Sequence, residues 1–156
     1  MIDNNYIRLN RIIALSIFIV TFIVYFDTMA PTVSYWDCGE FIAVSHTLGV
    51  PHPPGSPFFL LMGRIFSMLP FNEDIAFRVN VISPLVSALA VMLLYLSTVK
   101  VITHWRGRVN NITDVMIVFG GGAIGALTFA FTDSHWFNAV EAEVYAFSTF
   151  FTAIVV

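Results

Sequence analysis

The chain has 156 residues, 58% of them hydrophobic and only 11% charged, with a mean hydropathy of +0.83. A soluble domain carries about 25% charged residues, so the charge here is too sparse to cover a water-facing surface, and the chain reads as an integral membrane protein. The net charge of −3 leaves seven scattered Lys and Arg that form no basic stripe, which excludes nucleic acid as a partner, and the single Cys38 excludes an internal disulfide.

A bilayer-spanning helix needs about 20 predominantly apolar residues. Four stretches meet that length wholly or in part: 12–30, 76–103, 115–132 and 139–156. They are read as helices because an open chain in lipid must satisfy its own backbone groups. The first follows the polar stretch Met1 to Asn10 and outruns the core of about 7–15 apolar residues in a secretory signal. It leads into Pro31 without a small-residue cleavage site, so it is expected to stay as a span. Pro84 is expected to bend the second span and free a carbonyl. Gly120-Gly121-Gly122-Ala123-Ile124-Gly125 lies inside the third with no strand before it, and reads as close helix packing through small residues. The fourth stops at Val156 inside an apolar run. The chain is therefore expected to be the N-terminal part of one longer transmembrane domain, inactive in isolation.

Basic residues in short loops set orientation. Arg8 and Arg11 precede the first span, and Lys100, Arg106 and Arg108 separate the second from the third, so these ends are expected to be cytoplasmic. Asn111-Ile112-Thr113 matches a glycosylation acceptor but falls on that side and is set aside. The loops after spans one and three then face outward together. One carries Asp37, Glu40, Glu73 and Asp74; the other carries Asp133, Glu141 and Glu143.

The outer loop, 31–75, suggests two short helices. Ser34 can cap the first, with Asp37 placed as in a capping box and Gly49 to end it. Ser56 and Pro57 can start the second, which lies in the interface with Arg64 snorkelling to the headgroups. Asn72, Glu73 and Asp74 then sit at the N-terminus of span two, where the helix dipole favours acids.

Asp37 and Glu40 are three apart and share a helical face, where two carboxylates can share a proton, bind a divalent cation, or orient an attacking hydroxyl. The structural alternative is a cap for Asp37 and a solvated Glu40. His52-Pro53-Pro54-Gly55 makes a stiff corner that either holds His52 in place or merely turns the chain. Glu141 and Glu143 fall about two turns into an apolar helix, pointing to different faces, so at most one is expected to meet the loop acids. A buried carboxylate there needs a partner, with Arg78 or a cation to serve. Arg78, beside Asn80, can bind a phosphate or act as an interfacial anchor. Trp36 and Trp136 suit the interfacial aromatic belt. His46 lies on the face opposite Asp37 and reads as structural.

Taken together, Trp36-Asp37-Cys38-Gly39-Glu40-Phe41, the His52–Gly55 corner, Arg78-Val79-Asn80 and Phe137-Asn138-Ala139-Val140-Glu141-Ala142-Glu143-Val144-Tyr145 resemble the N-terminal part of a family of multispanning bacterial proteins of formerly unknown function. That family is related to an animal O-mannosyltransferase acting on plexin-type domains. The resemblance covers essentially the whole chain and implies a GT-C-like multispanning helical bundle, all-α and integral to the membrane. It implies a glycosyltransferase that moves a sugar from a polyprenyl-phosphate donor to a Ser or Thr of an exported protein, on the outer face of a bacterial inner membrane. Asp37 becomes the candidate base or acceptor-orienting residue with Glu40 beside it. Arg78 becomes a candidate for the donor phosphate and Glu143 a supporting acid; Trp36, His52, Glu141 and Tyr145 complete the expected substrate-binding set. His135 stands where an aromatic is expected and receives no role. No cofactor is assigned, and a divalent cation is left open. The competing classes are an ion- or proton-coupled transporter, whose acids would sit near mid-membrane, and a non-catalytic scaffold, which has no need of Asp37 and Glu40.

Overall fold

The computed structural model describes residues 4–53, 55–107, 109 and 111–155. Pro54 of the proline corner, Arg108 of the basic loop, the first three residues and Val156 lie outside the described residues.

Every regular element among the described residues is helical. Three helical stretches are long and apolar enough to cross a membrane: 5–28, 75–106 and 112–130. The first is α1 (Asn4–Thr28), which leaves Ile12, Leu15, Ile19 and Ile23 exposed on its outer side and buries Ala14, Ile17, Thr21 and Tyr25. An apolar face without protein cover is what a helix in lipid presents.

The second stretch is split at Val81 into α4 (Ile75–Asn80) and α5 (Ile82–Arg106). Pro84 has no N–H to offer the carbonyl of Asn80 four residues back, and the interruption falls where that bond is missing. α5 is the central element, packed against α1, α9, α7 and α8. The third stretch runs α6 (Ile112–Val115), a π turn (Met116–Gly120) and α7 (Gly121–Ala130). Of its glycines only Gly122 meets a neighbour: a Cβ there would lie 3.0 Å from Val99 and 3.4 Å from the Tyr95 ring. Small-residue packing therefore acts at one position, while Gly120, Gly121 and Gly125 have open space.

Beyond α1 lie α2 (Cys38–Thr47) and α3 (Pro57–Met68), the two loop helices. α3 starts at Pro57 after Ser56 as expected, whereas the start and stop of α2 differ in detail. α2 begins after Asp37 with no side-chain capping bond, so no capping box forms. Leu48, not Gly49, takes the left-handed position at its end, with φ 55°. Arg64 does not snorkel freely: its guanidinium donates to the His46 carbonyl, where a cation suits the C-terminal end of α2. α3 leaves Phe58, Leu61, Ile65 and Met68 exposed at helical spacing, the pattern of a helix lying in an interface. Asp74 caps α4, its Oδ1 accepting from the Ala76 amide at 2.7 Å.

The expected fourth span is two helices. α8 (Asp133–Val140) ends at Glu141, whose backbone is extended, and α9 (Tyr145–Val155) starts after four non-helical residues. Three tertiary bonds hold this region. The Ala30 amide donates to the Val140 carbonyl at 2.9 Å, and the fully buried Asn80 donates to the Ala30 and Thr32 carbonyls at 2.9 Å each. The ends of α1, α4 and α8 are thereby tied at one level of the bundle.

The core has two parts. One, around Tyr25, Val91, Tyr95 and Ala126, fills the span bundle. The other, around Cys38, Phe41, Phe59, Val79, Ile82 and Phe147, seats the loop helices on the ends of α5 and α9.

Candidate active site

The second core positions a cleft of about 440 Å³ lined by Trp36, Asp37, Phe41, His52, Gly55, Ser56, Glu143, Val144 and Tyr145. α2 supplies its acids. The first helical bond runs from the Phe41 amide to the Asp37 carbonyl, which puts Asp37 and Glu40 on the same side of the first turn. With no capping bond to make, the Asp37 carboxylate is free to face the cleft.

The proline corner brings His52 to both acids. Glu40 is bidentate on it, with Oε1 accepting from the His52 amide at 2.8 Å and Oε2 lying 2.6 Å from Nδ1. The opposite ring nitrogen, Nε2, stands 3.9 Å from Asp37 Oδ2. The ring packs on Phe41 at 5.8 Å, and Gly55, at φ +78°, closes the turn by donating to the His52 carbonyl. The hydrogen bond that His52 donates to Glu40, aided by the charges of Glu40 and Asp37, raises the pKa of His52; the bonds from His52 lower that of Glu40. The pair is therefore biased toward imidazolium and carboxylate, with Asp37 on the imidazolium's far side. Asp37, Glu40 and His52 each offer one ligand atom, all within 4.8 Å of one another, a donor set suited to a divalent cation.

Glu141 and Glu143 approach from the other side, and both come in. Cys38 Sγ lies 3.3 Å from Glu141 Oε2 and 3.6 Å from Glu143 Oε1. The expectation of divergent faces assumed helix. In extended backbone, side chains two apart point the same way, so both glutamates turn to Cys38 while Ala142 between them enters the core. Burial raises the pKa of Glu143, and the charges of Asp37 and Glu141 add to the rise. Burial also pushes the Cys38 thiol up to about 12, so it stays protonated as a donor to the acids. Cys38 is the site residue that sequence reasoning missed; its only signal was its position between Asp37 and Glu40.

Trp36 is 92% exposed at the cleft mouth and sits at φ 62°. A bulky residue in the left-handed region stores about 1–3 kcal/mol of strain, a feature that clusters at functional sites. Tyr145, also exposed, lines the same opening. Arg78 does not: its Nη1 donates to the Leu69 carbonyl at 3.0 Å, and it is absent from the cleft lining. His135 packs 4.4 Å from the Phe129 ring, and burial lowers its pKa to about 4.

Residues 37–156 match the family model for the protein O-mannosyl-transferase TMEM260 N-terminal domain. The chain is 32% identical over 141 residues, 88% of its length, to the protein O-mannosyl-transferase tmem260 of Dictyostelium discoideum. It is 31% identical over 120 residues, 76% of its length, to the protein O-mannosyl-transferase TMEM260 of Mus musculus. It spans 15% of the length of each of these relatives. No solved structure matches it. The match begins at Asp37 and takes in the whole acid and histidine cluster together with the glutamate turn, so the chain belongs to the protein O-mannosyl-transferase TMEM260 N-terminal domain family.

Proposed function

We propose that this chain forms part of a membrane glycosyltransferase of GT-C type that moves a sugar, mannose by its relatives' name, from a polyprenyl-phosphate donor to a Ser or Thr hydroxyl of an exported protein. The observation that carries the reading is the cleft in which Asp37, His52 and Glu143 converge at one end of an apolar bundle, with Glu40 bonded to His52. A lipid-linked donor delivers its phosphate to that level of the membrane.

Asp37 is the base. The acceptor oxygen forms a bond to the anomeric carbon as the bond from that carbon to the phosphate oxygen breaks. The electron pair leaves with the polyprenyl phosphate, and the hydroxyl proton passes to the Asp37 carboxylate. A single in-line displacement inverts the anomeric centre. His52, held as an imidazolium by Glu40, is the cation that the described cleft offers to the departing phosphate, in place of the expected Arg78. Glu143 sits across the cleft, and Trp36 and Tyr145 give it two exposed aromatic faces for the sugar or the acceptor. A divalent cation on Asp37, Glu40 and His52 would supply the same charge to the phosphate. An ion-coupled transporter would place such acids near mid-membrane, and their gathering at one end of the bundle counts against it.

The test uses the full-length protein in membranes, with a labelled mannosyl polyprenyl phosphate and an exported acceptor. Native protein transfers label; Asp37→Asn lowers the rate by at least about 100-fold, within the range for loss of a general base, while insertion and abundance hold. Transfer that persists in Asp37→Asn removes the base from this residue.

A further inference from the structure

The opposite end of the bundle carries a second, open cavity of about 600 Å³, where α1 and α5 approach the turn before α7. Its inner wall is apolar, formed by Leu96, Val99 and Phe119, and its lining carries Arg11, Lys100 and His104. We propose that this cavity binds one anionic phospholipid, with the phosphate on Arg11 and Lys100 and an acyl chain against the apolar wall.

Three observations meet here. The first is uncompensated charge. Among the described residues no carboxylate lines the cavity, and neither Arg11 nor Lys100 forms an ion pair; the nearby Arg106, by contrast, lies 3.6 Å from Asp114. Arg11 on α1 and Lys100 on α5, both exposed, border the same cavity, so an anion seated there would meet both charges. The second is depth. The eighteen residue steps from Ile82 to Lys100 rise about 27 Å at about 1.5 Å each. That separation matches a hydrocarbon core of about 30 Å, so with Ile82 at the level of the acid cleft, Lys100 falls at the opposite headgroup layer. The third is shape. A free phosphate would use the cations and leave the apolar wall bare, whereas a phospholipid uses both. Basic pockets between membrane helices hold anionic headgroups by this combination. Bound there, the lipid would clamp α1 to α5, the element whose other end carries Ser83, within 3.4 Å of the Glu143 amide.

The test is native mass spectrometry of the full-length protein in mild detergent, titrated with phosphatidylglycerol or with phosphatidylcholine of the same acyl chains. Native protein is expected to retain one phosphatidylglycerol in preference to phosphatidylcholine. Arg11→Gln and Lys100→Gln should each weaken phosphatidylglycerol binding about fivefold, the equivalent of about 1 kcal/mol per basic residue. Lys100→Arg should keep it, and phosphatidylcholine should be unaffected throughout. Arg8→Gln, a nearby exposed base outside the cavity, should change binding less than twofold. Equal retention of the two lipids by native protein overturns the proposal. So does an Arg8→Gln loss as large as those of the two cavity variants, which would mean diffuse surface attraction. Absence of any retained lipid overturns it as well, since another segment of the full chain would then fill the cavity.

Discussion

At the scale of single residues, the two unusual environments are those of His52 and Cys38. Glu40 raises the pKa of His52, whose ordinary value is 6.5, and His52 lowers that of Glu40, ordinarily 4.5. The ion pair is therefore fully formed between those two ordinary values. It is lost as pH rises through the raised His52 value or falls through the lowered Glu40 value. If the imidazolium serves the leaving phosphate, the transfer rate holds past pH 6.5 and falls on the alkaline side. In Glu40→Gln the largest cause of the rise is gone, so the alkaline limb should move toward about pH 6.5, the unperturbed histidine value. A rate–pH profile of both proteins reads this, and an unmoved limb separates His52 from the chemistry. Cys38 makes the opposite kind of prediction. It has no exposed surface and its pKa is pushed up to about 12, so the thiolate is scarce and unreachable. A maleimide at pH 7.5 should leave native protein unlabelled and react only after denaturation; prompt labelling would mean that the second core opens.

At the scale of elements, the cleft depends on how closely α2 lies on α3. Gly63 is the contact: a Cβ there would meet Ser45 Oγ, and would come within 2.7 Å of Ser45 Cβ. Gly63→Ala must push the helices apart, at about 1–3 kcal/mol for overpacking a tight contact. Because α2 carries Glu40, the variant should lose transfer as well as several degrees of thermal midpoint, read by unfolding the full-length protein in detergent. An unchanged midpoint would mean that the two helices are not packed this tightly. The break between α8 and α9 belongs to this scale too. Ala and Glu favour helix, so local propensity carries residues 139–145 as one span. Tertiary bonds win instead: the Val140 carbonyl is taken by Ala30, and the Glu143 amide turns to the Glu141 carbonyl at 2.8 Å and to Ser83.

At the scale of the whole molecule, Asp37, Glu40, Glu141 and Glu143 gather at one end of the bundle and Arg8, Arg11, Lys100 and Arg106 at the other, a distribution for which the positive-inside rule predicts a cytoplasmic basic end. Single cysteines at His46 and Trp105, both exposed, should then react with a membrane-impermeant reagent from opposite sides of sealed vesicles. Labelling of both from one side would overturn this arrangement. The native thiol does not interfere if it behaves as described.

What the sequence determined by itself is whatever depends on near neighbours along the chain. Long apolar runs marked the membrane class and three spans, Ser56-Pro57 marked the start of α3, and Asn72-Glu73-Asp74 marked the N-terminus of α4. The order of motifs from Trp36 to Tyr145 carried the family. The tertiary structure alone decided which polar groups meet. Cys38 finds Glu143 across 105 residues, His52 joins Asp37 and Glu40, and Arg78 turns to Leu69 and away from the cleft. The reason is physical: helical period and hydropathy report on the face a residue presents, whereas its partner depends on where two distant faces are brought together. Here Asn80 and the Ala30–Val140 bond do that, by tying three helix ends at one level of the bundle.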